Sequence, residues 1–100
     1  MEITAENNNN TLEIKVTGRL DTLTAPRLDE FIKLHAKNIN LLVLDLSGIE
    51  YISSMGMRTV LFSHKLMTSI SGKLIIRKPS PFCMQVFEAI GIAGSLNIKQ

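Results

Sequence analysis

Few side chains in this sequence have types and spacing that could do chemistry, and most of them stand apart. The exception is "YISSMGMRTV" at 51–60, where Ser53 and Ser54 sit between an aromatic-apolar pair and Gly56. A hydrolase nucleophile of this kind needs Gly-x-Ser-x-Gly and a histidine base. Neither serine has a glycine two positions before it, and His35 and His64 both fall on stripes predicted to face inward on helices. Those two histidines and the single cysteine, Cys83, lack any metal-ligand spacing. The phosphate-binding pattern Gly-x-x-x-x-Gly-Lys-[Ser/Thr] is absent as well. No enzyme, metal or cofactor is expected. Cys83 falls in a first helical turn, where the helix dipole would lower its thiol pKa unless it packs there as a small apolar residue. What remains for the serine pair is helix chemistry. Ser53 or Ser54 at a cap position satisfies a free backbone N–H, worth about 1 kcal/mol. A serine capping a helix at the end of a central strand also stands on the carboxyl edge of the sheet, where ligands usually meet open α/β proteins.

The elements that position this stretch follow from periodicity. "MEITA" and "TLEIKVTG" flank the asparagines at 7–10, which predicts a hairpin, with Leu12, Ile14 and Val16 on one strand face. In "TAPRLDEFIKLHAKN", Thr24 is a cap candidate, Pro26 suits a first turn, and Leu28, Phe31, Ile32 and His35 form a stripe. "LLVLDLSG" reads as a strand buried on both faces and ending at Ser47-Gly48. A helix over about 55–70 follows, with Met57, Val60, Leu61, His64 and Met67 as its main stripe and Gly72 at its end. "KLIIRK" is a further strand. "SPFCMQVFEAIG" is a helix capped by Ser80 with Val86, Phe87 and Ile90 inward, and "SLNIKQ" forms a last short strand or turn. The order β-β-α-β-α-β-α predicts an α/β fold with a mixed four- to five-stranded sheet and helices packed against it.

Composition narrows the function classes. One hundred residues with 45% apolar and 20% charged side chains fit one globular domain, 1–100. A net charge of +2, no Trp and one Tyr argue against nucleic acid. Residues 1–50 hold five Lys/Arg against eight Asp/Glu, and residues 51–100 hold six against one, which predicts an acidic and a basic side. No apolar run approaches the ~20 residues of a membrane span. No secretory signal is visible at the start, and a lone cysteine fits a reducing compartment, so a cytoplasmic location without membrane insertion is expected.

Three stretches in order, "GRLDTLTAPRL", "LLVLDLSGIEYISSMGMRTVL" and "KPSPFCMQVFEAIGI", resemble the STAS domain of bacterial anti-anti-sigma factors over nearly the whole chain. The middle stretch is the specific one. In that family the strand–helix junction commonly reads Asp-Ser-Ser-Gly, and a partner kinase phosphorylates the first serine of the pair. The resemblance places Gly56 on the glycine, Ser54 on the phosphorylated serine, Ser53 on the aspartate and Met55 on the second serine. The chain thus departs at Ser53 and Met55, which makes Ser53 a second-choice acceptor. The family's binding surface implies Asp21 and Thr22 of the preceding loop, with Ser53, Ser54, Met55, Gly56, Met57 and Arg58. The implied function is that of an anti-sigma factor antagonist. It would bind an anti-sigma factor with a serine-kinase ATPase fold when unphosphorylated, leave it on phosphorylation of Ser54, and be restored by a phosphatase. A different class also resembles the sequence: a STAS subunit docked on the ATPase of a bacterial lipid transporter, where no phosphorylation is needed. A small-ligand binder at the strand edges is a third reading.

Overall fold

The computed structural model describes all 100 residues. Strands β1 (Glu2–Asn8) and β2 (Thr11–Leu20) form the expected hairpin, closed by Asn9 in the left-handed region at φ 57°, which asparagine tolerates. Helix α1 (Ala25–His35), strand β3 (Leu41–Ile52), helix α2 (Ser54–Ser69), strand β4 (Lys73–Arg77) and helix α3 (Pro81–Ala89) follow. A 3-10 turn at Ala93–Ser95 leads to the short β5 (Ile98–Lys99). The sheet runs β1-β2-β3-β4-β5, with β1 antiparallel to β2 and every other pair parallel.

This order decides where the helices lie. Three successive crossovers step across the sheet in one direction, and right-handed crossovers that do so leave their helices on a single face. One cluster of 22 buried residues fills that layer, from Ile14, Leu44 and Ile76 of the sheet to Leu28, Ile32, Val60, Met67 and Phe87 of the helices. The expectation that β3 is buried on both faces holds over Leu42–Leu46, although helices cover only one of those faces. Val43 and Asp45 alternate away from the helix side and are buried by neighbouring strands alone. On that open face, Arg77 of β4 bonds Glu13 of β2 and, at 3.3 Å, Asp45 of β3. Acidic and basic residues are interleaved there, so the predicted separation into an acidic and a basic side does not hold on this face.

Strand β3 also runs five residues past Ser47, to Ile52, rather than ending at Ser47-Gly48. Its pairing with β2 shifts between Lys15 and Thr17 and again between Gly18 and Arg19. Each bulge admits one extra residue on β3, and together they keep Leu46, Ile49 and Ile52 all inward despite their spacing of three.

The helix stripes are rotated from expectation in places. His35 is exposed, its ring stacked on Phe31 at 4.1 Å and its Nδ1 2.8 Å from the Phe31 carbonyl. Helix α2 buries Thr59 and Ser63 and leaves Leu61 and His64 half-buried. The two hydroxyls satisfy themselves on the Met55 and Thr59 carbonyls, so their burial leaves no unpaired donor. Ile90 lies outside α3 and is exposed, because the helix stops at Ala89. Ser71, at φ 62°, takes the left-handed position after α2 that Gly72 was expected to take. Gly72 is needed for space: a Cβ there would meet the Asn40 carbonyl oxygen at 2.8 Å.

Candidate functional site

Ser53 and Ser54 differ by one position and by their whole environment. Ser53 is the cap of α2: its backbone is extended, and its Oγ accepts a hydrogen bond from the Gly56 N–H at 3.3 Å. Its own N–H donates to the Leu20 carbonyl at 2.9 Å, and its carbonyl accepts from Met57 N–H at 2.9 Å. Ser54 occupies the first helical position and is exposed, and its hydroxyl makes no hydrogen bond within the protein. One serine is structural and the other is free.

Gly56 is buried against the end of β2. A Cβ at this position would stand 2.6 Å from the Leu20 carbonyl oxygen and 2.8 Å from Ile52 Cγ1. The glycine lets the first turn of α2 close on Leu20, and with the Ser53–Leu20 hydrogen bond it joins that turn to the loop that begins at Asp21. The backbone that Gly56 admits is the protein's own.

In that loop Asp21 Oδ1 accepts from the Leu23 N–H at 3.0 Å and the Thr24 N–H at 3.2 Å. Burial works to raise the Asp21 pKa, but these bonds, the Thr24 hydroxyl and nearby Arg19 hold it below the ordinary aspartate value. Thr24 does not cap α1 through its side chain, as was expected. Its Oγ1 instead accepts from the Asp21 N–H at 2.9 Å and donates to the Arg19 carbonyl at 2.8 Å. The loop is thereby rigid at Asp21 and open at Thr22 and Leu23, with Leu23 85% exposed.

Of the other residues singled out in the sequence, Met55 is half-buried and Arg58 exposed, whereas Met57 is buried and points into the domain. Beside Ser53 and Ser54 opens a groove of about 390 Å³ between α2 and α3. Ile52, Met57, Leu61, Val86 and Ile90 form its apolar walls, and Arg58 is the only charge that lines it. A second group links β2, β3 and α3. The Arg19 guanidinium lies 4.2 Å from the centroid of the Tyr51 ring, which is 5.5 Å from that of Phe82. Sequence reading missed this row, since Arg19 and Tyr51 become neighbours only through the strand register. Leu23 did carry a signal, as an apolar residue in a turn with no periodic partner. Cys83 is buried, and burial pushes its thiol up rather than down. The Ser80 hydroxyl accepts its N–H at 3.2 Å, so the residue is packing and not a reactive thiolate.

The exposed Ser54 thus stands at the N-terminus of α2, next to the loop that begins at Asp21. The STAS domain profile matches residues 2–100. The chain belongs to the STAS domain family. It is 41% identical over 56 residues to BtrV of Bordetella bronchiseptica, provisionally assigned as an anti-sigma factor antagonist. That match covers 56% of this chain and 46% of BtrV, so it spans less than half of that relative. With the anti-sigma-B factor antagonist of Listeria monocytogenes it shares 26% identity over 89 residues, 88% of this chain and 78% of that protein. Its fold is also that of the anti-sigma factor antagonist SpoIIAA. The unphosphorylated form gives a TM-score of 0.79 at 18% identity, covering 99% of this chain and 88% of SpoIIAA. The phosphorylated form, from Bacillus, gives 0.78 at 19% identity, covering 99% and 92%. No helix of this STAS domain is long and apolar enough to cross a membrane.

Proposed function

We propose that this STAS domain is a non-catalytic regulator of the bacterial cytoplasm that acts as an anti-sigma factor antagonist. In its unphosphorylated state it binds an anti-sigma factor of the serine-kinase ATPase type, through the Asp21–Leu23 loop and the exposed part of the first turn of α2. Phosphorylation of Ser54 by that partner releases it, and a phosphatase restores it. The observation that carries this reading is the division of labour between the serines: only the Ser54 hydroxyl is exposed and uncommitted. The names of the relatives in Bordetella and Listeria support the same class of function.

The chemistry suits the position. Transfer from a nucleoside triphosphate forms a P–O bond at Ser54 Oγ, breaks the bond to the β-phosphate, and releases the diphosphate and the hydroxyl proton. The product carries roughly −1.5 to −2 charges at a helix N-terminus, where free N–H groups and the dipole favour an anion. The fold tolerates the group because Ser53, not Ser54, caps the helix. An interface formed around a neutral hydroxyl does not tolerate it. Desolvating or repelling a dianion there weakens binding by about a thousandfold, roughly 4 kcal/mol.

A pull-down from host lysate with wild-type, Ser54→Ala and Ser54→Glu baits tests the reading. A kinase-fold anti-sigma factor retained by the first two and lost by Ser54→Glu is the expected result. Retention of the same partner by all three baits, above all a transporter ATPase, would overturn the switch and favour the transport class.

A further inference from the structure

Arg58 is the one cation in the groove beside Ser54, and it is unspent. Every ion pair in the molecule uses Arg19 or Arg77, and none uses Arg58. Its guanidinium is exposed and rests on a weak acceptor, the thioether of Met55, at 3.6 Å. On a helix surface, residue 58 is flanked by positions 55 and 54, three and four residues before it, and both are within reach of a long side chain. Arg58 occupies the first of these contacts. The second, Ser54, has a hydroxyl with no partner, and it lines the same groove. A neutral hydroxyl offers a guanidinium one uncharged acceptor oxygen. A phosphoryl group offers three charged acceptor oxygens with the spacing that a guanidinium fork matches.

We propose that Arg58 is the built-in counter-ion of phosphorylated Ser54. Modification draws the guanidinium from Met55 Sδ to the phosphoryl oxygens, and the i to i+4 pair pins the new group along the first turns of α2. Two things change together at the groove: the dianion is partly neutralised within the chain, and the Met55 thioether is uncovered. Phosphorylation then remodels the surface beyond the modified atom. This role rests on the reading that Ser54 is the acceptor, and it makes Arg58 a positioning residue of the switch.

The test uses the full chain with phosphoserine installed at position 54, in wild-type, Arg58→Lys and Arg58→Gln backgrounds, with methionine methyl groups labelled with ¹³C. Phosphorus NMR titration gives the second pKa of the phosphate. With its counter-ion in place the dianion is favoured, so the wild-type pKa is expected to lie about 0.5 unit below that of Arg58→Gln. Arg58→Lys, which lacks the fork, is expected between them. The Met55 methyl resonance is expected to move on phosphorylation in wild type and to stay in place in Arg58→Gln. A phosphate pKa that is the same in wild type and Arg58→Gln, with a Met55 signal blind to phosphorylation, would overturn the proposal. The two readings fail separately. An unchanged pKa alongside a partner lost by the Ser54→Glu bait removes only the role of Arg58. A partner retained by Ser54→Glu removes the switch whatever the titration shows.

Discussion

Replacing Gly56 with alanine puts a methyl group where the fold has no room for one. The new Cβ would lie 2.6 Å from the Leu20 carbonyl oxygen, 2.8 Å from Ile52 Cγ1 and 2.9 Å from Leu20 Cγ. The side-chain atoms can yield, but the carbonyl belongs to the last residue of β2 and is held there by its bond from Ser53 N–H. Helix α2 must therefore lift away from Leu20. Overpacking of this kind costs about 1–3 kcal/mol, and loss of the Ser53–Leu20 bond adds roughly 1 kcal/mol. Alanine recovers about 1 kcal/mol of helix propensity, because Gly56 lies within α2. The net expectation is a loss of roughly 2 kcal/mol, or about 10 °C in Tm for a domain of this size. Urea unfolding followed by far-UV circular dichroism measures it, with an unchanged m-value confirming that the folded state is intact. Amide shifts at Asp21 and Ser54 are expected to move together, since the substitution parts the two segments that carry them. A midpoint equal to or above wild type would refute the close-approach argument, because only the propensity gain would then be acting.

The two serines are expected to part company in the same assay. Ser53→Ala removes the cap on Gly56 N–H and should cost about 1 kcal/mol, whereas Ser54→Ala, with no bond to lose, should stay within about 0.5 kcal/mol of wild type. Equal effects would mean that the cap assignment is wrong. Acid stability should report on Asp45. Burial raises its pKa, but the Ser47 N–H and hydroxyl and the Arg77 guanidinium outweigh this and hold it below the ordinary aspartate value. A carboxylate depressed in the folded state contributes stability above its unfolded pKa and loses it as pH falls through the folded value. Wild type should therefore weaken from about pH 5 downward, and Asp45→Asn should start less stable at neutral pH and show a shallower acid decline. Parallel pH profiles for the two proteins would count against the role of Asp45.

Much of this architecture is written in local pattern. The alternation of Leu12, Ile14 and Val16, the apolar run 41–46, a serine cap at 53 or 54 and the cap at Ser80 depend on residues near in sequence, so β2, β3, α2 and α3 were legible. So was the serine stretch at the junction. A strand's end was not legible where bulges carry it onward, because a bulge exists only relative to a partner strand. The orientation of His35 and Ile90 was misread for a related reason: a stripe shows which side chains share a face, and packing decides how far that face is covered. Sequence by itself determined the alternation of strands and helices, the family, and the presence of two hydroxyls at the start of α2. Only the tertiary structure decided which hydroxyl is free, since that depends on the Leu20 carbonyl seating Ser53 and Gly56 at the end of β2. It also decided that one sheet face stays uncovered and that Arg58 stands unpaired beside Ser54. Those outcomes turn on long-range register and close contact, which bring together residues that no local pattern relates.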